Sequence, residues 1–383
     1  MLTFHSLRVA EIRPEADDAV GIALEVPPDL QAQYRGLPGQ HVVIRTEIND
    51  EERRRTYSVV SAPGESPLRI AARVHGQGHM SRYLAEQLNV GDHLDVLPPN
   101  GSFTPRRLSQ PGGVYIAFAA GCGITPVLAI VRALLTANPA SRVILFYGNT
   151  GTGRTMCVEE LLALKDRNLG RLSLHFVMSR EPQEVELYNG RIDGERVREF
   201  ARTLFKPADV TECFVCGPGT MIEEVSATVR ELGVAAERIH GEHFTLATTT
   251  ADESKAEVIA APSASGAPAR PPASAAPGLP PASERTSTPD QSEVTILMDG
   301  RRRTFTMRMN DEVILDAAAR AGLELPFSCR AGVCSTCRTK VTQGAVEMAQ
   351  NYALEDWEVE QGYVLACQSR VTTPTLELDY DEK

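Results

Sequence analysis

The sequence predicts a multidomain chain: a small antiparallel β-barrel, a parallel α/β sheet, and a compact β-grasp domain behind a linker. Three textures carry that reading. Up to about Leu108 the chain is a series of short β runs, HVVIRTEI, RTYSVV, LRIAARV and HLDVLPP, separated by turn pairs such as Pro38-Gly39, Pro63-Gly64 and Asn100-Gly101. That is the pattern of a barrel, here with one helix expected from about Ser81 to Leu88. After Gly113 strands alternate with helices: VYIAFAA, PVLAIVRALL, RVILFYG, VEELLALKD, LSLHFVMS. Alternation of this kind makes a parallel sheet. From Ala261 to Pro289 almost everything is Ala, Pro, Ser or Gly, with too little to bury to offset the entropy of ordering. The expected domains are therefore 1–108 (barrel), 109–245 (α/β), 246–291 (linker) and 292–383 (β-grasp).

Composition narrows the function. With 50 acidic against 39 basic side chains and a net charge of −11, the chain lacks the basic excess of a nucleic-acid binder. No apolar run reaches the roughly 18 residues of a membrane span. The N-terminal MLTFHSLRVAEIRPEADDAV has no charged-then-apolar leader, which predicts a cytoplasmic protein. Eight cysteines in that compartment point to metal or redox chemistry rather than a disulfide framework.

The cysteine spacing is specific. Cys329-x4-Cys334-x2-Cys337, followed by Cys367, is the spacing of a plant-type [2Fe–2S] centre. Three thiolates come from one tight loop and the fourth from a distant strand. Gly332 lets the backbone approach, and small Ser335 and Thr336 leave amides free to bond sulfur. A structural zinc site would favour paired Cys-x2-Cys arms, which this segment lacks. Cys122, Cys157 and Cys213 have no such spacing and read as packed residues.

Two further motif sets fit nucleotide cofactors. Arg55-x-Tyr57-Ser58 offers a cation, a flat ring and a hydroxyl on one strand, as a flavin needs, although an ordinary cross-strand pair looks the same. Gly76-x-Gly78-x-x-Ser81 opens the barrel's helix, whose free amides suit a phosphate. Strand VYIAFAA runs into Gly121-Cys122-Gly123-Ile124-Thr125-Pro126 and a second helix, with Thr125 expected as N-cap and Pro126 at the first helical position. A glycine loop at a strand's carboxyl end is a pyrophosphate site. FVCGPGTM repeats the arrangement and sets Cys216 and Gly217 at another strand end.

RTYS, GxGxxS, GCGITP, YGN, CGPG and GEHFT stand in the order used by the ferredoxin–NADP reductase superfamily. With a plant-type ferredoxin fused behind, the chain resembles class I oxygenase reductases everywhere except the linker. FHSLRVAEI, GRIDGE and NYALEDWEVEQGYVLACQS narrow the likeness to the branch whose reductases serve phenylacetyl-CoA epoxidation. The resemblance implies FAD held by Arg55, Tyr57 and Ser58, with Gly78 and Ser81 on its pyrophosphate. It implies a nicotinamide dinucleotide at Gly121, Gly123 and Thr125, bordered by Cys216 and Gly217, and cluster ligation by Cys329, Cys334, Cys337 and Cys367. Ser58, Cys216 and Phe244 would be the catalytic residues at the reacting rings. Ser179 and Arg180, with Tyr188 beyond, match the place where relatives receive a 2′-phosphate, so NADPH is expected over NADH. The implied activity is electron transfer from NADPH through FAD and [2Fe–2S] to the oxygenase subunits of a multicomponent monooxygenase, without nucleic acid or membrane. Only Glu237 and His240 have di-iron spacing, so oxygen activation is expected on the partner. A different ring-hydroxylating or di-iron monooxygenase is the alternative partner.

Overall fold

The structure, a computed structural model, describes residues 3–74, 76, 78–108, 110, 112–244, 257–260 and 290–382. Its N-terminal body begins with strands β1 (His5–Ala16), β2 (Ala19–Glu25), β3 (His41–Ile48), β4 (Glu51–Ser58) and β5 (Leu68–Arg73), helix α1 (His79–Glu86) and strand β6 (His93–Val96). The strands run antiparallel in the order β4-β3-β6-β1-β2-β5. An antiparallel bridge from Val59 to Ile70 joins the two ends into a barrel. Alternation drives closure: Leu7, Val9, Ile22, Leu24, Val42, Ile44 and Val96 turn inward, and Leu84 of α1 plugs the core.

The α/β part follows as β7 (Gly113–Ala120), α2 (Ile124–Ala137), β8 (Ser141–Asn149), α3 (Val158–Arg167), β9 (Leu172–Met178), α4 (Gly194–Thr203), β10 (Val210–Gly217), α5 (Gly219–Glu231) and β11 (Ile239–His243). The sheet order is β11-β10-β7-β8-β9, all parallel. β7 is first in sequence and central in space, so the winding reverses between β7 and β10. Apolar side chains of α2 and α3 form one core group; those of α4 and α5 form another with Phe118, Phe146 and Val215. Both faces are therefore covered, and the strands are nearly continuous apolar runs.

Two carboxylates, Glu160 half-buried and Glu212 buried, join barrel and sheet. Glu160 of α3 receives Arg13 at 2.7 Å, Arg132 at 2.5 Å and also Arg69. Burial alone would raise its pKa; the Arg69 and Arg13 hydrogen bonds, with Arg132 adding charge, hold it down at about 2. Glu212 on β10 accepts the backbone N–H groups of Arg106 at 3.0 Å and Arg107 at 3.2 Å, and His240 Nε2 donates to it at 3.0 Å. The segment leaving the barrel is thus clamped to the sheet.

The C-terminal part contains β12 (Glu257–Ala260), β13 (Gln291–Met298), β14 (Arg301–Arg308), α6 (Ile314–Arg320), β15 (Arg338–Gln343), β16 (Ala345–Met348), α7 (Asp356–Glu360), β17 (Tyr363–Leu365), β18 (Ser369–Val371) and β19 (Thr375–Asp379). Five strands form a mixed sheet, β14-β13-β19-β15-β17, in which only β13 and β19 run parallel. β12-β16-β18 form a second, smaller sheet. This is the expected β-grasp. β12 corrects the expected linker, since Glu257 to Ala260 pair with Met348 to Ala345 and Ile259 is buried. An apolar residue facing a free sheet edge outweighs the polar composition around it. The rest of the expected linker before Asp290 lies outside the described residues. No helix among the described residues is long and apolar enough to cross a membrane.

Replacing Glu160 with Gln should destabilise the body by about 3 kcal/mol at pH 7, because a carboxylate with a depressed pKa contributes most above its unfolded value. The wild type loses the same contribution as pH falls from about 4.5 towards 2. Urea unfolding of both proteins at pH 7 and pH 4 checks it: the gap must narrow in acid.

Candidate redox site

The site of the body lies at the carboxyl ends of β7, β8 and β10, where the winding reverses, which is where open α/β sheets bind ligands. Ala120 leads into a 3-10 turn, Gly121–Gly123, and then directly into α2. The helix therefore starts before the expected place. Gly123 is its N-cap and Thr125 lies inside the first turn, its Oγ1 donating to Cys122 O at 2.9 Å. Pro126 is correspondingly one turn in, where its missing N–H still costs no helical bond. Gly121 has a φ of +55°, and Tyr147 OH donates to its carbonyl at 3.0 Å, which fixes the loop from below. Gly123 leaves no room for a side chain: a Cβ there would stand 2.1 Å from Cys216 O.

That contact brings the first glycine loop against Cys216 and Gly217 at the end of β10. Cys216 is fully buried, and burial, then Glu242 and Cys122, push its thiol well above the ordinary range. Glu242 is its register partner on β11. Burial raises the Glu242 carboxyl, and His41 partly opposes this from 3.8 Å. His41 in turn pairs with Ser58 across β3 and β4. Ser58, His41, Glu242 and Cys216 therefore form a path from the barrel to the sheet. Phe244, just past β11, packs on the core group that contains Cys216.

Unpartnered polar atoms lie along this path and at the end of β8. Ser58 Oγ, His41 Nε2, Glu242 Oε2, both side-chain amide atoms of Asn149 and Thr150 Oγ1 are shielded from solvent and have no hydrogen-bond partner among the described residues. Buried polar groups without partners mark a place for a polar ligand, and a ring system with nitrogen and carbonyl edges fits them. On β4, Arg55 is exposed and Tyr57 half-buried. Gly78 is the N-cap of α1 without a side-chain cap, and Ser81 Oγ donates back to Gly78 O at 3.1 Å. The amides of that helix end thus face outward for an anion. Beyond β9, Ser179 N and Arg180 N donate to Asn149 O at 2.9 Å and Thr150 O at 3.0 Å, which fixes both residues beside the end of β8. Tyr188 OH is bonded to His175 Nδ1 at 2.9 Å.

Three residues here carry no motif and were not legible in the sequence. His41 and Glu242 are ordinary strand residues until the sheet register pairs them with Ser58 and Cys216. Arg73, at the end of β5, has Nη1 3.6 Å from the Cβ position of Gly121, donates to Arg154 O at 2.6 Å, and faces Asp18 at 3.6 Å. It sets a guanidinium at the mouth of the glycine loop.

The four expected cluster ligands lie in the C-terminal part. Cys334, Cys337 and Cys367 are buried and Cys329 is half-buried. Side-chain hydrogen bonds with Cys329 and Cys337, then burial, hold the Cys367 thiol far above its ordinary range, so these three thiols face one another. Ala331 N donates to Cys329 Sγ at 3.4 Å. Gly332 has a φ of +73°, and a Cβ there would lie 2.8 Å from Gln350 O. Ser328 Oγ and Thr336 Oγ1 in the same loop are buried without partners among the described residues. A centre that needs thiolates and accepts hydrogen bonds at its sulfurs fits this donor set.

Comparison with known proteins agrees with the geometry. Residues 9–104 match the oxidoreductase FAD-binding domain family, 118–227 the oxidoreductase NAD-binding domain family, and 296–372 the 2Fe-2S iron-sulfur cluster binding domain family. The chain is 36% identical to one of the subunits of the 1,2-phenylacetyl-CoA epoxidase of Escherichia coli (strain K12), over 100% of this chain and 99% of that one. It is 27% identical to the ferredoxin reductase component of 3-ketosteroid-9-alpha-monooxygenase of Rhodococcus rhodochrous, over 98% and 96%. Among solved structures, phthalate dioxygenase reductase shares the fold, with a TM-score of 0.55 at 21% identity over 98% of each chain.

Gly123→Ala should weaken dinucleotide binding at least about tenfold and cost about 2 kcal/mol of stability, because loop and strand must move apart. Difference spectroscopy with oxidised dinucleotide and a thermal melt check both; unchanged binding counts against the loop as the contact surface.

Proposed function

Because the chain belongs to the oxygenase-reductase family of ferredoxin–NADP reductase type, with FAD-, NAD- and 2Fe-2S-binding domains in one polypeptide, we propose that it carries electrons from NADPH to the oxygenase subunits of a phenylacetyl-CoA epoxidase. The observation that carries the electron path is the convergence of Ser58, His41, Glu242 and Cys216 on the glycine loop where the sheet's winding reverses. The bound flavin and iron–sulfur centre supply the conversion of a two-electron donor into single-electron delivery. The chain supplies placement. Arg55 and the α1 amides take the flavin pyrophosphate, Tyr57 and Phe244 flank its ring, and Ser58 offers a hydroxyl to its edge. Cys216 and Gly217 border the nicotinamide, while Gly121, Gly123 and Thr125 form its pyrophosphate cradle. Glu242, its carboxyl raised by burial and partly held down by His41, sets a titratable group beside Cys216. Cys329, Cys334, Cys337 and Cys367 ligate the cluster.

The epoxidase assignment rests on the 36% identity over the full chain. Purified protein mixed with phenylacetyl-CoA oxygenase subunits should sustain NADPH-dependent oxygenation; turnover only with a different oxygenase would move it to another monooxygenase. The Cys334→Ser variant should lower oxygenase or cytochrome reduction by at least about 100-fold while sparing NADPH–ferricyanide activity, since small oxidants reach the flavin without the cluster. Equal loss of both activities in FAD-replete protein would refute a sequential path.

NADPH is favoured over NADH by the end of β9. Arg180 is exposed there, and the neighbouring carboxylate of Glu181 is engaged by Thr152 N at 2.7 Å and Thr152 Oγ1 at 2.6 Å. Those bonds lower the Glu181 pKa and tie its carboxylate to Thr152 rather than to Arg180. Arg180→Ala should raise the KM for NADPH about tenfold and leave that for NADH unchanged, the worth of one charge-assisted fork. Steady-state kinetics with both donors decide; equal effects rule the assignment out.

A further inference from the structure

Tyr380 follows β19 and packs on the core group that contains Cys337 and Cys367. Its N–H donates to Leu297 O at 2.9 Å, so its backbone is fixed. Its Oη is shielded from solvent and has no hydrogen-bond partner among the described residues. An unpaired buried hydroxyl costs about 1–3 kcal/mol, so such a group implies an acceptor that the polypeptide alone does not provide.

Register gives the direction. β15 and β19 are antiparallel with Lys340 opposite Asp379. One step further along brings Tyr380 opposite Thr339, whose Oγ1 donates to Asp379 O at 3.0 Å. Thr339 and Cys337 are both buried, and Cys337 ends the short 3-10 turn Ser335–Cys337 that leads directly into β15, two residues before Thr339. Ala366 N donates to Cys337 O at 3.1 Å, which brings the segment bearing Cys367 to the same end. A tyrosine ring can reach such a diagonal neighbour. A phenol keeps its proton at neutral pH, so Oη acts as donor.

We propose that Tyr380 Oη–H donates a hydrogen bond to the cluster-bound sulfur of Cys337 or Cys367 and thereby raises the reduction potential of the [2Fe–2S] centre. One-electron reduction adds negative charge at the sulfurs, so a fixed donor stabilises the reduced form more than the oxidised one. Tyr380 is a positioning residue: it comes from the last strand, outside the cysteine loop, and ligates nothing. The inference rests on the cluster reading, and the wild-type visible and EPR signals test that separately.

The experiment is an anaerobic redox titration of the full-length holoprotein followed by EPR. Tyr380→Phe should lower the cluster midpoint, with about a tenfold shift in the reduction equilibrium, or about 59 mV for one electron. The flavin midpoint and the NADPH–ferricyanide rate should stay as in the wild type. Deuterium ENDOR after exchange into heavy water should lose one coupled deuteron. If the Phe variant does not keep its cluster, 3-fluorotyrosine at position 380 preserves shape and sharpens the donor, and the midpoint should rise. An unchanged midpoint in either protein overturns the proposal, even where the melting temperature falls, since a packing role alone moves stability and not potential. A wild-type protein lacking the cluster signals overturns it together with the cluster reading.

Discussion

Gly123 stands where even a methyl group would run into the carbonyl of Cys216, and the rest of the redox site depends on that approach. Because the sheet's winding reverses between β7 and β10, the chain leaving their carboxyl ends turns to opposite faces of the sheet, α2 to one and α5 to the other, which leaves a crevice there. The glycine loop closes the floor of this crevice. It also starts α2 early, so the free amides of the helix point into the crevice and Thr125 is used to brace the turn rather than to cap it. Tyr147 OH adds a fixed support beneath Gly121.

The crevice is only half a site; the barrel provides the other half, and two carboxylates keep the halves together. Glu160 gathers three guanidinium groups at the α3 side. Glu212 receives two backbone amides and His240 at the β10 side. An uncompensated charge in either place would be costly, so each carboxylate fixes its neighbours as firmly as they fix it. The result is a rigid seam in which His41 and Glu242 meet across the barrel and the sheet. Rigidity suits electron and hydride transfer, because the protein contributes placement and polarity and the cofactors contribute reactivity.

The C-terminal domain solves a different problem. A cluster held by the four expected thiolates would have to be enclosed without leaving charge unsolvated. The fold offers small donors near these thiols: the Ala331 amide on Cys329, the Gln368 side chain 3.8 Å from Cys367, and hydroxyls of Ser328 and Thr336 in the same loop that find no partner among the described residues. Arg330 and Gly332, at φ of +56° and +73°, flank Ala331, whose amide donates to Cys329 Sγ.

Local sequence was enough for the fold class and the motif residues. Barrel, parallel sheet and β-grasp domain follow from hydrophobic periodicity and turn residues, because these are local consequences of chain geometry. The Cys329, Cys334, Cys337 spacing was legible for the same reason, since three ligands within one loop are a local property. What joins these pieces is set at the tertiary level. His41, Arg73 and Glu242 have no distinctive neighbours in sequence; register and winding bring them to the crevice. β12 was hidden because four residues within a polar stretch become a strand only when an unpaired edge of β16 accepts them. Helix α2 began earlier than Thr125 and Pro126 suggested because its start is set by contact with β10 rather than by capping preference. Pairings between residues far apart in sequence depend on the whole topology, and no local pattern encodes them.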